Sequence, residues 1–475
     1  MNTIVWFRED LRLFDNPALS FAAKQGQVLP IFFYPKGLGA ASYWWLHHSL
    51  IKLSASLAEQ GLRLILSSQD PAIELPRLAR SISAQKVVWN RVYSPSGVDE
   101  GKLLKQALGD LEIACQSFNA QLLTEPSKIK TKQGTPYKVF TPFWRLCLQT
   151  LEPDQPLAVP SLESLDAADL GVVSDSLEDW NLLPTNPDWS GGLAERWQPG
   201  ESGAADRLEQ FLECGIDDYQ SKRDFPSTNS TSYLSPYLTF GEISVRHIWH
   251  QVHQSLALRE VSQANADKFL AELGWREFSR YLILNFPHML SDSFNPKFDN
   301  FPWQQNPQLV RAWQKGQTGY PIIDAGMREL WHTGYMHNRV RMLVASFLCK
   351  HCLIHWKEGM NWFWDTLVDA DIGSNTASWQ WVSGSGADAS PYFRIFNPII
   401  QGEKFDKEGV YIKRWVPELA GLPSRFINTP WLADADCLKA AGLNLGDNYP
   451  FPIVDHKESR EQALSAYQFI RLNSN

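Results

Sequence analysis

The sequence predicts an α/β domain built on a doubly wound parallel sheet, then a long connector, then an all-helical second domain. Three observations carry this. Short apolar runs alternate with helical patterns over residues 1–134. Residues 151–203 are acidic and dotted with proline. Beyond 204, nearly every segment has a 3.6-residue apolar period.

Taken in order, Thr3–Phe7, Val28–Tyr34, Arg63–Ser67 and Lys86–Asn90 read as buried strands. Asn16–Gln25, Ser42–Gln60, Pro71–Ile82 and Val98–Leu108 lie between and after them with helical periodicity. Parallel strands joined by helices put ligands beyond the strands' carboxyl ends, which places Arg8–Arg12 and Tyr34–Gly39 at such a site. No Gly-x-Gly-x-x-Gly or Gly-Lys-Ser/Thr phosphate loop occurs there, so this is not a conventional nucleotide domain. Residues 135–203 are expected to be a connector, and 204–475 the helical domain, with helices at 204–214, 241–256, 264–286, 324–334, 336–356 and 358–367.

At 475 residues, with 44% apolar and 20% charged, the chain can bury a substantial core. No apolar run approaches the ~20 residues of a spanning helix, and no basic-then-apolar leader opens the chain. Six scattered cysteines fit a reduced, cytoplasmic protein better than a disulfide scaffold. Cys349 and Cys352 have metal-ligand spacing but lack a second pair, so no metal is expected.

Residues 151–201 hold eleven acids and one base, a net of −10, whereas the whole chain is only −8. The remainder is therefore +2, which leaves room for a basic face and does not exclude DNA. Nine of the 20 tryptophans fall between 275 and 381. They suit either a large aromatic core or a π-rich site for stacking and electron transfer.

Two clusters carry chemistry. Asn338, Arg341 and Met342 share one face of an otherwise apolar helix. An Arg in such a setting calls for an anion, and Asp369 and Asp371 are the candidates in kind, either in a site or in a structural ion pair. Tyr219 to Ser235 is rich in hydroxyls at a loop-to-helix junction, a pattern that can wrap a phosphate.

Val-Trp-Phe-Arg-Glu-Asp-Leu-Arg-Leu-Phe-Asp-Asn-Pro (5–17), Thr-Gly-Tyr-Pro-Ile-Ile-Asp-Ala-Gly-Met-Arg (318–328), Met-His-Asn-Arg-Val-Arg-Met (336–342) and Tyr-Phe-Arg-Ile-Phe-Asn-Pro (392–398) resemble signatures of the DNA photolyase/cryptochrome family. The resemblance covers nearly the whole chain and is strong to the bacterial class III cyclobutane pyrimidine dimer photolyases, relatives of plant cryptochromes. It implies an α/β antenna domain and a helical domain holding FAD, reduced in the active form. It also implies UV-damaged DNA as partner, a monomer in the bacterial cytosol, and light-driven repair by electron transfer to a flipped-out dimer.

Residue by residue, the resemblance places Tyr219 and Thr231, Ser232, Tyr233, Leu234 and Ser235 around the FAD phosphates and ribityl chain. Arg341 would pair with Asp369 beside the isoalloxazine, with Ala370 and Asp371 also at the flavin and Asn375 facing its N5. Trp379, Trp356 and Trp303 would relay electrons. Glu272, Trp275, Asn338, Met342 and Trp381 would line the lesion pocket, and Arg223, Arg276, Arg339 and Gln401 would hold flanking DNA. Glu272, if protonated, could hydrogen-bond a dimer carbonyl, although it is also the i,i+4 partner of Arg276. The implied antenna is 5,10-methenyltetrahydrofolate near Trp44 or Trp45, with a deazaflavin as the alternative. A cryptochrome-type photoreceptor is the second reading. Asn375 and Trp275 favour repair, because plant-type cryptochromes tend to carry Asp at the first position and lack the Trp at the second.

Overall fold

A computed structural model describes residues 1–165, 171–389 and 393–472. Its contacts divide the chain into two units. One comprises Met1–Asp217, Ser232–Asn285 and Val368–Gly373, and the other Asp218–Thr231, Phe286–Leu367 and Ser374–Asn475.

The first unit contains the sheet. Strands β1 (Asn2–Phe7), β2 (Gln27–Phe33), β3 (Ile65–Ser67), β4 (Lys86–Asn90) and β5 (Ala114–Phe118) are all parallel, in the order β3-β2-β1-β4-β5. A two-residue strand, β6 (Glu163–Ser164), adds to β2. Helices α1 (Pro17–Ala23), α2 (Ala40–Glu59), α3 (Pro71–Ser81) and α4 (Pro95–Gly109) are the crossovers. Asn16, Asp70 and Ser94 cap α1, α3 and α4 through their side chains, each followed by proline in the first turn.

Strand β5 is not legible in the sequence. It is an edge strand, Ala-Cys-Gln-Ser-Phe, with no fully buried residue, so it lacks the apolar run that marks a central strand. The strand order reverses between β1 and β4, where a ligand would be expected. Arg8–Arg12 does not form an open site there, because the segment is consumed internally. Asp10 accepts from the amides of Asn90 (2.5 Å) and Asn16 (3.3 Å). The fully buried Arg12 donates to the carbonyls of Phe14, Asp15, Ala120 and Gly241 at 2.8–3.0 Å.

Within residues 135–203 lies a regular helix, α5 (Phe140–Thr150). The unit also carries the long helix Gln263–Asn285, close to its expected span.

The second unit is helical. The helix expected at 336–356 ends early, and the helix expected at 358–367 follows it as a separate element. The first, Asn338–Ser346, ends in a widened turn over Phe347–His351, and Leu353 has φ 51°. The second runs from Trp356 to Thr366. His337 and His355 each cap a start by accepting from the backbone N–H two residues on (3.2 and 3.1 Å). Apolar residues on every side hid the break. It is held instead by distant polar partners: Lys350 donates to the Arg394 carbonyl (2.5 Å), and His351 bonds His456 (2.8 Å). Cys349, Cys352 and His355 therefore do not share one continuous helix face. Among the described residues there is no cluster fit for a metal, and no helix is long and apolar enough to cross a membrane.

Candidate active site

In the first unit, Tyr233 sits at φ 53° with the Arg196 guanidinium 4.4 Å over its ring. The next residues enter the short helix Ser235–Phe240. The Ser235 hydroxyl donates to Asp369 Oδ2 (2.6 Å), and Thr239 reaches the Asp369 carbonyl (3.5 Å). Asp369, Ala370 and Asp371 are all buried.

Asp371 pairs with Arg280 at 2.5 Å, a residue missed in the sequence. Arg280 also reaches Glu9 (3.1 Å) and Gln121 Oε1 (3.2 Å), and the carboxylates of Asp371 and Glu9 hold it firmly protonated against its burial. Its signal was its i,i+4 spacing from Arg276 on a helix with a largely apolar face.

Arg276 does not present a free guanidinium to DNA. It donates to the carbonyls of Gln121 (2.7 Å) and Leu238 (3.3 Å), and its side chain is 12% exposed. Orphan carbonyls inside the fold took the donors expected for a phosphate. Glu272 pairs with its other i,i+4 neighbour, Lys268, at 3.3 Å. Trp275 stacks on Phe140 with ring centroids 3.8 Å apart and planes at 10°.

Trp45 is fully buried among Trp197, Tyr237 and Phe240, and its indole N–H donates to Glu242 (3.1 Å). Trp45 thus faces the core of the unit rather than an open surface. Trp44, edge-on to His48 at 4.6 Å, is 2% exposed.

In the second unit, Arg339 pairs with Asp224 at 2.8 Å, and Arg223 lies 3.9 Å from the same residue. Arg339 also covers the Phe405 ring (4.5 Å) and approaches Met342 Sδ (3.8 Å), while Arg223 covers the Tyr219 ring (5.2 Å). Asn338 is exposed at the head of its helix, and Met342, Trp381 and Gln401 are half-buried. Arg341 Nε donates to the Met336 carbonyl (2.7 Å). The Thr231 hydroxyl is buried without a hydrogen-bond partner.

Asn375 donates one amide N–H to the Met360 carbonyl (3.0 Å), which orients its carboxamide; that bond uses neither its other N–H nor its oxygen. Trp379 packs edge-on against Phe363 (5.0 Å) and Trp313 (6.2 Å). Trp303 and Trp356 are bridged by a ring that their spacing in the sequence does not announce. His355 lies 5.2 Å from Trp303 and 5.3 Å from Trp356, and burial pulls its pKa down to about 4, so it is neutral.

The first unit thus carries buried carboxylates oriented by half-buried hydroxyls, and the second an indole series and two arginines gathered by Asp224. Profiles of the FAD binding domain of DNA photolyase and of DNA photolyase match residues 269–469 and 3–161. The chain is 50% identical over 472 residues to the deoxyribodipyrimidine photo-lyase of Agrobacterium fabrum, covering 98% of both. It is 42% identical to cryptochrome-2 of Arabidopsis thaliana, covering 98% of this chain and 78% of that one. The crystal structure of a bacterial class III photolyase from Agrobacterium tumefaciens superposes with a TM-score of 0.96 at 48% identity, over 99% of this chain and 98% of that one. The chain belongs to the DNA photolyase family.

Proposed function

We propose that this protein uses blue light to split cyclobutane pyrimidine dimers in UV-damaged DNA, with FAD as its cofactor. The observation that carries the reading is the end-to-end 50% identity to a deoxyribodipyrimidine photo-lyase. The residues fit a flavin: Thr231 keeps a buried hydroxyl unspent, and the carboxylates of Asp369 and Asp371 are already oriented by Ser235 and Arg280. Reduced FAD, when bound, supplies the light absorption and the electron that opens the dimer's cyclobutane ring.

The chain does the rest. Tyr219, Thr231, Ser232, Tyr233, Leu234 and Ser235 hold the phosphates and ribityl chain, and Arg341, Asp369, Ala370 and Asp371 border the ring system. Asn375, its carboxamide oriented by the Met360 carbonyl, faces the flavin N5 as a neutral amide that can accept or donate a hydrogen bond but has no acidic proton to give. Trp379, Trp356 and Trp303 carry electrons inward, with neutral His355 filling the gap between the last two.

A dimer inside a duplex must be flipped out to be reached, and photolyases are themselves a standard example of base flipping. Trp275, backed by Phe140, and Trp381 stack on the extruded bases, while Glu272, Asn338 and Met342 line the pocket. Arg223, Arg339 and Gln401 hold the backbone, Asp224 keeping the two guanidinia together. Residues 1–134 are read as the antenna domain, 135–203 as its connector and 204–475 as the flavin domain. The antenna is read as a methenyl folate, with a deazaflavin as the alternative. A folate stacked on Trp44 would require the covering chain to move aside. The protein acts as a cytoplasmic monomer.

The test is repair of a thymine-dimer oligonucleotide by the reduced protein in blue light and in darkness. Light-dependent recovery of thymine absorbance is expected. No recovery from a protein with bound, photoreducible FAD would overturn repair and favour a cryptochrome-type sensor.

A further inference from the structure

Between residues 126 and 150 the chain has five bases, Lys128, Lys130, Lys132, Lys138 and Arg145, and no acid. The sign reverses at once afterwards, in the acidic stretch 151–201. All five side chains lie on exposed residues. A run of this kind is ordinarily a solvated surface, but here it is tied down.

The Tyr281 hydroxyl donates to the Ile129 carbonyl (3.0 Å) and accepts from the Tyr137 N–H (2.9 Å), so one buried phenol pins both ends of the loop between them. Inside it, Thr131 and Thr135 close a turn through backbone (2.9 Å) and hydroxyl (2.8 Å) bonds, with Gly134 at φ 78°. Lys132 is thereby presented at a closed tip rather than on a loose strand. Farther on, α5 packs on the helix Gln263–Asn285. Phe140 stacks on Trp275, Phe143 meets Phe278 (5.0 Å) and Tyr281 (4.9 Å), and Trp144 lies where a Cβ on Gly274 would come within 2.6 Å of it. Arg145 edges an open groove of about 370 Å³ walled by Phe140, Trp144 and Leu148.

We propose that residues 126–150 form a second DNA-holding element, a basic arm that grips the sugar-phosphate backbone of the duplex beside the lesion. Three things support it. Lys128, Lys130 and Lys132 are exposed on alternate residues with no acid between them, and a duplex carries a charge every ~1.7 Å of axis. The arm is braced against the very turn of helix that carries Trp275, so a backbone held by the arm has a set distance from the stacking indole. The contacts come from flexible lysines rather than an ordered fork, which suits positioning without sequence readout. This inference rests on the reading of Trp275 as a lesion-stacking residue in a repair enzyme.

The experiment uses the full-length, FAD-loaded protein and a dimer-containing duplex, with Kd measured across a salt series. In the triple variant Lys128→Gln, Lys130→Gln, Lys132→Gln, Kd should rise roughly tenfold or more at low salt. The slope of log affinity against log salt should shrink by about 2.7, at ~0.9 for each phosphate no longer neutralised. The corresponding triple Lys→Arg variant should restore both, since it keeps the charge.

Wild-type affinity and slope in the Gln variant would overturn the arm. So would an unchanged slope accompanied by lost preference for damaged over undamaged duplex, because the residues would then read the lesion. Retained DNA binding with loss of binding to phosphatidylserine vesicles would assign the strip to a membrane surface, and likewise overturn it. If the wild-type protein itself has no salt-dependent affinity for dimer-containing DNA, the failure lies in the proposed function rather than in the arm.

Discussion

Replacing Glu242 by glutamine should turn a pH-sensitive brace into a pH-independent one. Glu242 is buried, and it accepts from the Trp45 indole N–H (3.1 Å), the Ser49 hydroxyl (2.5 Å) and the Gly200 N–H (2.7 Å). Desolvation outweighs these donors and pushes its carboxyl from an ordinary 4.5 up to about 8. The neutral acid is well accommodated: Ser49 also reaches the Trp45 carbonyl at 3.0 Å, so the hydroxyl proton can turn there while the acid proton goes to Ser49 Oγ.

Because the folded chain holds this proton more tightly than the unfolded one, the contribution of Glu242 to stability is greatest below about pH 4.5. It declines as pH rises towards about 8, then levels off. At about 1.4 kcal/mol per pH unit the full decline is about 5 kcal/mol. Glutamine removes that decline but points its NH2 at one of three donors, at a pH-independent cost of about 1–3 kcal/mol. Thermal midpoints measured from pH 5 to 9 should therefore cross, with the variant below wild type at pH 5 and above it at pH 9. Other titrating groups are common to both proteins and cancel in the difference. Parallel curves would refute the reasoning and show Glu242 to be ionised throughout.

Trp275→Ala should weaken binding of dimer-containing duplex by about 1–3 kcal/mol while leaving affinity for undamaged duplex nearly unchanged, as measured by competitive titration. Trp379→Phe should abolish photoreduction of oxidised flavin yet still repair once pre-reduced; a folded, flavin-loaded, pre-reduced variant without repair would break that division of roles. In Gly359→Ala the new Cβ would lie 2.0 Å from the Trp379 ring, which is already boxed in by Phe363 and Trp313. Overpacking there should cost about 1–3 kcal/mol and slow photoreduction, read together by melting and flavin bleaching.

The sequence by itself made the parallel sheet legible, because the three central strands and edge strand β3 are short apolar runs alternating with helical patterns. It also determined the helical second half, whose 3.6-residue period needs no partner to be seen, and the family, whose signatures are contiguous. It pointed to Asp369, Asp371, Arg341 and the tryptophans as the residues of interest. Only tertiary structure decided what several of these side chains touch. Arg276 spends its donors on the Gln121 and Leu238 carbonyls, and Arg280 takes the place beside Asp371. Trp45 serves the core, and His355 stands between two indoles. Each of these is a contact between positions far apart in the chain or across a helix break, set by which buried polar group lacks a partner. Local periodicity holds no record of that. Edge strand β5 and the early end of the helix expected at 336–356 were hidden for the same reason: one side of each is supplied by a neighbour the local pattern cannot name.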